Sequence, residues 1–355
     1  MIAAAGPDEY RACLAELLGC DEVDAVIPIY IPAEPGGSEA VARAVKEASR
    51  SAGDKAVLTV FMQWHGSPTA LAERPGIIPT FPYPERAARA LAAAVKYGEW
   101  RSGPEGEMVA FDDVDHRSGR KVVTSALERL GPDGGWLEAM EVEDLLGRFG
   151  IGVVAGRVVG TAEEAAAFAR DVGGPVALKV VADSVLHKSD VGGVVLDVQG
   201  DSEVRAAYDQ VTSVAGDASG ALVQEFVSGH EVIIGMTEDA TFGPLIAFGL
   251  GGVFVELIKD VAFRIHPLTD VDIDEMVADV RSARILDGYR GGPPGDVAAV
   301  KEALGRVSVM VDHVPEIVEM DLNPVMVGRP GDGIRVVDAR IRVQPRQEIW
   351  LPSRR

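Results

Sequence analysis

The amino-acid sequence predicts two domains, a small parallel α/β unit followed by a larger α+β domain built on a mixed sheet. Three observations lead to this prediction. The chain has 355 residues, which is more than one hydrophobic core usually organises. In the first hundred residues, apolar runs alternate with segments of helical periodicity. In the second part, closely spaced strands follow one another between longer helical segments, which is typical of α+β domains.

The first unit has the order helix, strand, helix, strand, helix. Its apolar runs at 23–31 and 55–62 are bounded by Pro, Gly and Asp, as strands usually are. Between these runs, small and apolar residues recur at helical spacing behind Ser38, whose hydroxyl can cap the first turn. The polar segment 101–120 then indicates a linker. We therefore expect a first domain at 1–104, a linker and helix at 105–130 and a second domain at 131–350.

In the second domain, helices and strands alternate before the closely spaced strands begin. The predicted helices are 122–130, 141–149, one from residue 162, one after residue 202, and 296–313. The predicted strands are 153–159, 176–181, 221–226, 231–236, 317–321 and 334–338. The first two strands and the helix between them predict a βαβ-like entry to this domain.

Charge and composition exclude several classes of protein. Lys and Arg number 34 and Asp and Glu 55, so the net charge of −21 would repel a nucleic-acid backbone. Cys13 and Cys20 are the two cysteines, too few for a disulfide scaffold and without metal-site spacing. No apolar run reaches the roughly 18–20 residues of a membrane span, and the N-terminus lacks the pattern of a secretory signal. We expect a cytoplasmic protein with no nucleic-acid or membrane partner.

Lys179 is an ammonium group inside the hydrophobic strand 176–181. Burial of an ammonium group is costly unless an anion meets it, and a triphosphate is one such anion. The alternative is that Lys179 extends to the surface or pairs with a carboxylate. The strand alone favours neither interpretation.

The motif at 187–194 combines His187, Lys188 and Asp190 with the adjacent glycines Gly192 and Gly193. Glycine amides can approach an anion closely, and a neutral imidazole can attack a phosphoryl group near pH 7 and later release it. This pattern indicates a phosphoryl-accepting histidine. A single loop histidine is, however, more often a surface or hydrogen-bonded residue.

The acidic connector at 224–231 follows a predicted strand. This connector includes Glu225, Phe226, Val227 and Glu231. Its backbone groups can bind adenine, and a carboxylate in it can bind a ribose. From spacing alone, a hairpin with solvated acidic side chains is the better interpretation.

Two further groups complete the candidate site. The glycine-rich run at 248–253, with Gly251 and Gly252, precedes Arg264, whose guanidinium can fork onto phosphate oxygens. Near the end of the chain, Asp321, Asn323 and Asp338 place oxygen ligands at the ends of two strands. Mg²⁺ prefers such ligands. A glycine cluster alone is weak evidence, but two oxygen-rich strand ends in one domain strengthen the prediction of a metal site.

In this order, the motifs resemble the ATP-grasp portion of ADP-forming acetyl-CoA synthetases, which are relatives of succinyl-CoA synthetase. The resemblance covers about 137–343, and the motif His-Lys-Ser-Asp-Val-Gly-Gly-Val is its most specific element. The first hundred residues, with Asp-Ala-Val-Ile-Pro-Ile-Tyr-Ile at 24–31 and Phe-Pro-Tyr-Pro-Glu-Arg at 81–86, resemble the flavodoxin-like ligase domain of the same family. The resemblance thus implies a flavodoxin-like parallel α/β domain followed by an ATP-grasp domain.

The resemblance also implies roles for individual residues. His187 becomes the mobile phosphohistidine, with Lys188 and Asp190 beside it. The other implied roles are Mg²⁺ binding by Asn323 and Asp338 with Asp321 beside them, phosphate contacts by Lys179 and Arg264, and adenine binding at 225–227. The implied cofactors are ATP or ADP and Mg²⁺.

The implied activity is that of an ADP-forming acid–thiol ligase, which interconverts acyl-CoA, ADP and phosphate with carboxylate, ATP and CoA. The family's CoA-binding domain has no counterpart in this sequence, and the first unit begins without the opening strand of its domain. We therefore expect a CoA-binding domain or subunit as a partner, an oligomeric assembly, and no complete reaction by this chain alone.

Two alternatives remain. Similar regions are fused to protein lysine acetyltransferases, where they sense ligands, so this chain can be a regulatory region of such an enzyme. An unrelated ATP-grasp carboxylate–amine ligase ranks last, because that chemistry has no need of the motif at 187–194.

Overall fold

The computed structural model describes residues 5–32, 37–62, 67–74, 76–182, 192–251 and 260–346. The chain divides into two compact units, Met1–Pro104 and Glu105–Arg355. Within the described ranges, no helix combines the length and the apolar character that a membrane span requires.

The first unit is a parallel α/β structure. Its helices are α1 (Pro7–Gly19), α2 (Gly37–Ala48), α3 (Thr69–Ala72) and α4 (Pro84–Ser102), with a 3-10 turn at Ser49–Ser51. Its strands are β1 (Ala25–Val26), β2 (Ile29–Tyr30), β3 (Ala56–Val57), β4 (Thr59–Phe61) and β5 (Thr80–Phe81). Strand β1 pairs with β3, and β4 lies between β2 and β5, all in parallel.

Each predicted strand of this unit is present as two short strands, and Pro28 explains the interruption. The amides of Leu58 and Val60 donate to the carbonyls of Val26 and Pro28 at 3.1 and 3.0 Å, so one parallel ladder runs through both pairs. The intervening bond would need an N–H at residue 28 that donates to Leu58, and proline has none. The ladder therefore continues in register but loses one hydrogen bond.

The second unit contains six described α-helices and eleven described strands. The helices are α5 (His116–Leu130), α6 (Ala139–Arg148), α7 (Ala162–Val172), α8 (Asp201–Thr212), α9 (Asp270–Asp279) and α10 (Val297–His313), with 3-10 turns at Arg281–Asp287 and Tyr289–Gly291. The strands are β6 (Gly135–Trp136), β7 (Gly156–Val159), β8 (Val176–Val181), β9 (Val194–Val198), β10 (Gly220–Glu225), β11 (His230–Asp239), β12 (Gly243–Leu250), β13 (Val261–Ile265), β14 (Ile317–Val327), β15 (Ile334–Val336) and β16 (Ala339–Val343).

Four of these strands form the small sheet, in the order β7-β10-β8-β9. Helices α7 and α8 cover one face of it, where Val176, Leu178 and Val180 of β8 are buried against helix residues such as Phe168 and Val211. Strands β7 and β8 flank β10, which is antiparallel to both. The predicted βαβ entry is thus present with a third strand inserted between its two strands.

The other seven strands form the large sheet, in the order β13-β12-β11-β14-β16-β6 with β15 also paired to β14. Its buried face, which includes Ile234, Phe248, Met320 and Ile341, packs in one core with residues of α5, α6, α9 and α10. The expectation of a mixed sheet is wrong for the described ladders, because both sheets of this unit pair their strands antiparallel. Short connections such as that from β11 to β12 allow antiparallel pairing only.

Arg306 of α10 is the most highly connected buried cation among the described residues. Its guanidinium forks onto Asp113 at 2.9 and 3.1 Å and donates to Glu302 at 2.8 Å and to the carbonyl of Phe149 at 3.0 Å. The ring of Phe111 lies 4.4 Å from its Cζ atom. One side chain thus joins the start of this unit, the end of α6 and the middle of α10.

We expect Arg306→Met to lower the free energy of opening of α10 by about 2–3 kcal/mol, because it leaves a buried carbonyl and a carboxylate pair without their donor. The matched control is Arg205→Met on α8, whose exposed ion pairs with Glu163 and Asp201 should contribute less than about 1 kcal/mol. Native-state hydrogen exchange of α10 amides in the full chain measures both effects. Equal losses of protection in the two variants would contradict the role of Arg306.

His266 is an imidazole held in a cavity of about 150 Å³, which it lines together with His116 and His313. Its Nδ1 lies 3.2 Å from the hydroxyl of Ser308, and its Nε2 lies 3.8 Å from Asp312. Burial lowers the pKa of His266, the Asp312 charge opposes that shift and Arg346 adds to it. The folded protein therefore binds the proton less readily than the unfolded chain does.

Stability should accordingly decrease as the pH falls through the unfolded-state pKa of about 6.5, until His266 is protonated in the folded state as well. We expect urea unfolding to give a smaller loss of stability between pH 7.5 and pH 5.5 for His266→Gln than for the unmodified chain. An equal loss in the two proteins would show that His266 does not carry this pH dependence.

Candidate functional site

The chain passes from the small sheet to the large sheet through a connector of four residues. Strand β10 ends at Glu225 and β11 begins at His230. At the start of the connector, the amides of Glu225 and Phe226 donate to the carbonyls of Ala155 and Pro175 at 2.8 and 2.9 Å. A Cβ atom at Gly229 would lie 2.3 Å from the carbonyl oxygen of Val327, so this close approach requires glycine. The predicted adenine segment at 225–227 thus lies where the two sheets meet.

The face of the small sheet that α7 and α8 leave open carries Lys179. Lys179 pairs in register with Leu222, and Gln224 pairs with Ala177, so the lysine and the glutamine share this face. Val158 and Leu196 are exposed on the same face. The structure therefore places Lys179 on a face that combines polar and apolar contacts, as a nucleotide requires.

The open face of the large sheet carries the predicted metal ligands of β14. Glu319, Asp321 and Asn323 alternate with the buried residues Met320 and Leu322, so all three point away from the core. The neighbours of Asp321 across the sheet are Gly235 on one side and Arg340 on the other. The next strand adds Ala247 beside Gly235, and Glu231 lies further along β11 on the same face. A floor of small residues thus adjoins the carboxylates.

Asp338 lies in the turn between β15 and β16 and is joined to β14, because its carbonyl accepts the amide of Asn323 at 3.0 Å. Burial raises the pKa of Asp321, the charges of Asp338 and Glu319 raise it further, and Arg340 opposes this shift. The Asp321 carboxyl thus experiences a neighbouring negative charge that a cation would neutralise.

The donor set suits Mg²⁺. Within the described ranges, no cluster of three or more His, Cys, Asp or Glu side chains is arranged to hold a metal. Mg²⁺ needs no such cluster, since it is usually held by one or two carboxylates and completes its octahedron with water and phosphate oxygens. The two carboxylates of Asp321 and Asp338 and the amide of Asn323 fit this requirement.

Gln224 joins the two sides of the candidate site. Its Nε2 donates to the carbonyl of Val337 at 3.1 Å, directly beside Asp338. The open face of the small sheet therefore meets the large sheet at the end that carries Asp338. Our sequence analysis treated Gln224 only as part of the acidic connector. The signal that was missed is an amide side chain directly after the apolar run Ala-Leu-Val of this strand, a signal similar to the one that identified Lys179.

Arg264 is not brought together with the other predicted site residues. It pairs in register with the core residue Ile246, and its guanidinium contacts Asp279 at 2.7 Å and Glu275 at 3.5 Å on α9. It therefore lies on the helix-covered face of the large sheet, opposite to the carboxylates of β14. The basic group that the structure does place beside Asp321 is Arg340, which our sequence analysis did not select.

The glycines that flank the remaining motifs lie close to these faces. The carbonyl of Gly193 accepts the amide of Val180 at 2.8 Å, next to Lys179, and Gly192 has a φ of 76°. The amide of Gly251 donates to the carbonyl of Glu231 at 2.7 Å. The other predicted residues of these motifs lie outside the described residues. They are His187, Lys188, Asp190 and Gly252.

Comparison with known proteins identifies the larger unit. The family model described as ATP-grasp domain matches residues 129–343. The ADP-forming acetate–CoA ligase I of Archaeoglobus fulgidus is 40% identical over 271 residues, which are 74% of this chain and 38% of that protein. The chain therefore spans well under half the length of that relative. The beta subunit of ADP-forming acetate–CoA ligase II of Pyrococcus furiosus is 40% identical over 209 residues, 57% of this chain and 89% of that subunit.

A solved structure agrees with these relatives. It is the dinucleotide forming acetyl-coenzyme A synthetase 1 of Ca. Korarchaeum cryptofilum with coenzyme A and Mg-AMPPCP, described with its phosphohistidine segment pointing towards the nucleotide binding site. It is 42% identical, with a TM-score of 0.54, and the match covers 64% of this chain and all of that one. The predicted order of a parallel α/β unit and an ATP-grasp domain is thereby confirmed, and the chain belongs to the family of ADP-forming acetyl-CoA synthetases.

Proposed function

We propose that this chain is the nucleotide-binding and phosphoryl-carrying part of an ADP-forming acyl-CoA ligase. The observation that carries the proposal is the convergence of the Lys179 face with Asp321, Asn323 and Asp338 through the hydrogen bond from Gln224 to Val337. This arrangement provides one cationic side, one metal-binding side and a backbone connector between them. A nucleoside triphosphate with its Mg²⁺ needs these three elements.

In the proposed site, the adenine lies against the connector at 225–227 and the exposed apolar side chains Val158 and Leu196. The phosphates extend between Lys179 and the β14 carboxylates, with Arg340 as the second cation. Arg264 is left out, because two acidic side chains already neutralise it on the other face. Mg²⁺ held by Asp321, Asn323 and Asp338 would supply charge neutralisation for the transferring phosphoryl group.

The proposed reaction has two stages. In the first, a nitrogen of His187 attacks the γ-phosphorus, the bond to the β-phosphate oxygen breaks, and ADP leaves. In the second, a carboxylate oxygen takes the phosphoryl group from His187 to give an acyl phosphate. The CoA thiolate then displaces phosphate to form the thioester. Lys188 and Asp190, which follow His187 in the sequence, are proposed as its catalytic neighbours.

The second stage needs groups that we assign to other parts of the assembly. We propose that a CoA-binding domain or subunit supplies the acyl and CoA sites. The Pyrococcus furiosus relative, which is named as a beta subunit, supports this division. The same proposal assigns 1–104 to the ligase-type α/β domain and 131–350 to the ATP-grasp domain. Because the relatives reported above are named as CoA ligases or synthetases, they support this function over a regulatory role.

Incubation of the full chain with γ-labelled ATP and Mg²⁺ should give acid-labile, base-stable label on the protein, because a phosphoramidate hydrolyses in acid. We expect His187→Ala to remove this label. His116→Ala, which alters an exposed histidine of α5, is the matched control and should retain it. Label that persists in His187→Ala would contradict the phosphohistidine assignment.

Removal of a metal ligand should weaken the response to Mg²⁺ rather than abolish folding. We expect Asp321→Asn to raise the Mg²⁺ concentration for half-maximal phosphorylation about 10–100-fold, since one anionic ligand is lost. Glu319→Gln, two residues earlier on the same face, is the control and should change it less than about threefold. Equal shifts in both variants would indicate a general charge effect and contradict a ligand role for Asp321.

A further inference from the structure

The cavity that contains His266 is built from residues that the proposed nucleotide site does not use. Its volume is about 150 Å³, and its walls come from the segments at 108–114 and 266–268, the start of α5 and the last turns of α10. The apolar part of the wall is formed by Val109, Phe111, Val114, Leu268 and Val309. A cavity of about this volume can hold a molecule of the size of benzene.

Ser308 determines which nitrogen of His266 carries the hydrogen. The Ser308 hydroxyl, in a residue only 3% exposed, accepts the amide of Leu268 at 3.0 Å. Its own hydrogen then has one acceptor among the described residues, Nδ1 of His266 at 3.2 Å. Because a buried hydroxyl without an acceptor is costly, Nδ1 accepts and the neutral ring carries its hydrogen on Nε2. Burial also lowers the pKa of His266, which keeps the ring neutral near pH 7.

The Nε2–H group of His266 is a donor without a hydrogen-bond partner in the part of the chain that the structure describes. The side chain is only 10% exposed, and the Asp312 carboxylate, 3.8 Å from Nε2, is too distant for a hydrogen bond. Asp312 lines the same cavity. The polar end of the cavity therefore offers a donor and an acceptor, with a gap between them that a ligand atom can bridge.

The charges around the cavity favour a neutral ligand. Helix α5 begins there at His116 and α10 ends there at His313, so two helix ends of opposite partial charge meet. The rings of these two histidines stack with their centroids 4.6 Å apart. Asp312 would repel a carboxylate ligand, and the Nε2–H donor would oppose an ammonium group. A hydroxyl group can both accept from Nε2 and donate to Asp312.

We propose that this cavity binds a small neutral hydroxyl compound with an apolar body, of which phenol is the simplest aromatic example. The hydroxyl oxygen bridges His266 and Asp312, and the ring packs against the apolar wall. Water can make the same two bonds, but along the apolar wall it finds no polar partners. The bound ring fills the space between the segment at 108–114 and α10, so the ligand should stabilise this part of the protein.

Titration of the full chain, labelled at its histidine rings, tests the proposal by nuclear magnetic resonance. The His266 signal is assigned by its absence in His266→Gln. We expect phenol to shift this signal with a dissociation constant in the millimolar range. Phenol should bind about tenfold more tightly than toluene, which lacks the hydroxyl, and benzoate should not bind.

Variants separate recognition of the hydroxyl from filling of the cavity. Asp312→Ala should weaken phenol about fivefold and leave toluene unchanged, because one hydrogen bond is lost. Asp209→Ala, which removes an exposed carboxylate of α8, is the matched control and should change neither affinity. Val309→Phe fills the cavity and should weaken both ligands. Unchanged affinity for phenol in Asp312→Ala would overturn the proposed hydroxyl contact.

The unmodified chain gives a decisive result even where a variant does not fold. Equal affinity for phenol and toluene would show that the hydroxyl is not recognised and would overturn the proposal. A His266 signal that phenol does not shift at millimolar concentrations would show that the cavity holds water only, which would also overturn it. Neither result bears on the proposed nucleotide site, since the two sites share no residue.

Discussion

The candidate site depends on the short connection between β10 and β11. Four residues take the chain from one antiparallel sheet into the next, so the open faces of both sheets adjoin at this corner. Two contacts hold this corner. Gln224, near the end of β10, donates to the carbonyl of Val337, and Gly229, at the end of the connector, lies close to Val327. A longer or bulkier connector would let the two faces separate, and neither face alone carries both Lys179 and the carboxylates of β14.

The same strands provide both the core and the site, because side chains alternate between the two faces of a strand. Leu178 and Val180 are buried on either side of Lys179, and Met320 and Leu322 alternate with Asp321 and Asn323. Packing on one face thereby positions Lys179, Asp321 and Asn323 on the other. The strands are held by the helices behind them, so the site inherits the rigidity of the core.

The alternation of side chains between the two faces of a strand also explains what could be predicted from the sequence. A charged residue in an apolar strand selected Lys179, and a guanidinium that follows the glycine-rich run at 248–253 selected Arg264. Neither signal states which face of a sheet the side chain occupies, because that depends on which strand is the neighbour and where the helices pack. Lys179 lies on an open face, whereas Arg264 lies against α9 with Asp279. The partner of Gln224 was equally inaccessible, since Val337 is 113 residues away along the chain.

The electrostatics of the site favour a nucleotide that arrives with its cation. The chain carries a net charge of −21, and Glu319, Asp321 and Asp338 concentrate negative charge where the phosphates are proposed to lie. A free triphosphate would be repelled by these carboxylates, and the charges of Asp338 and Glu319 already help to raise the pKa of Asp321. In the proposed function, a divalent cation held by Asp321, Asn323 and Asp338 would offset this repulsion. Lys179 and Arg340 would then orient the phosphates.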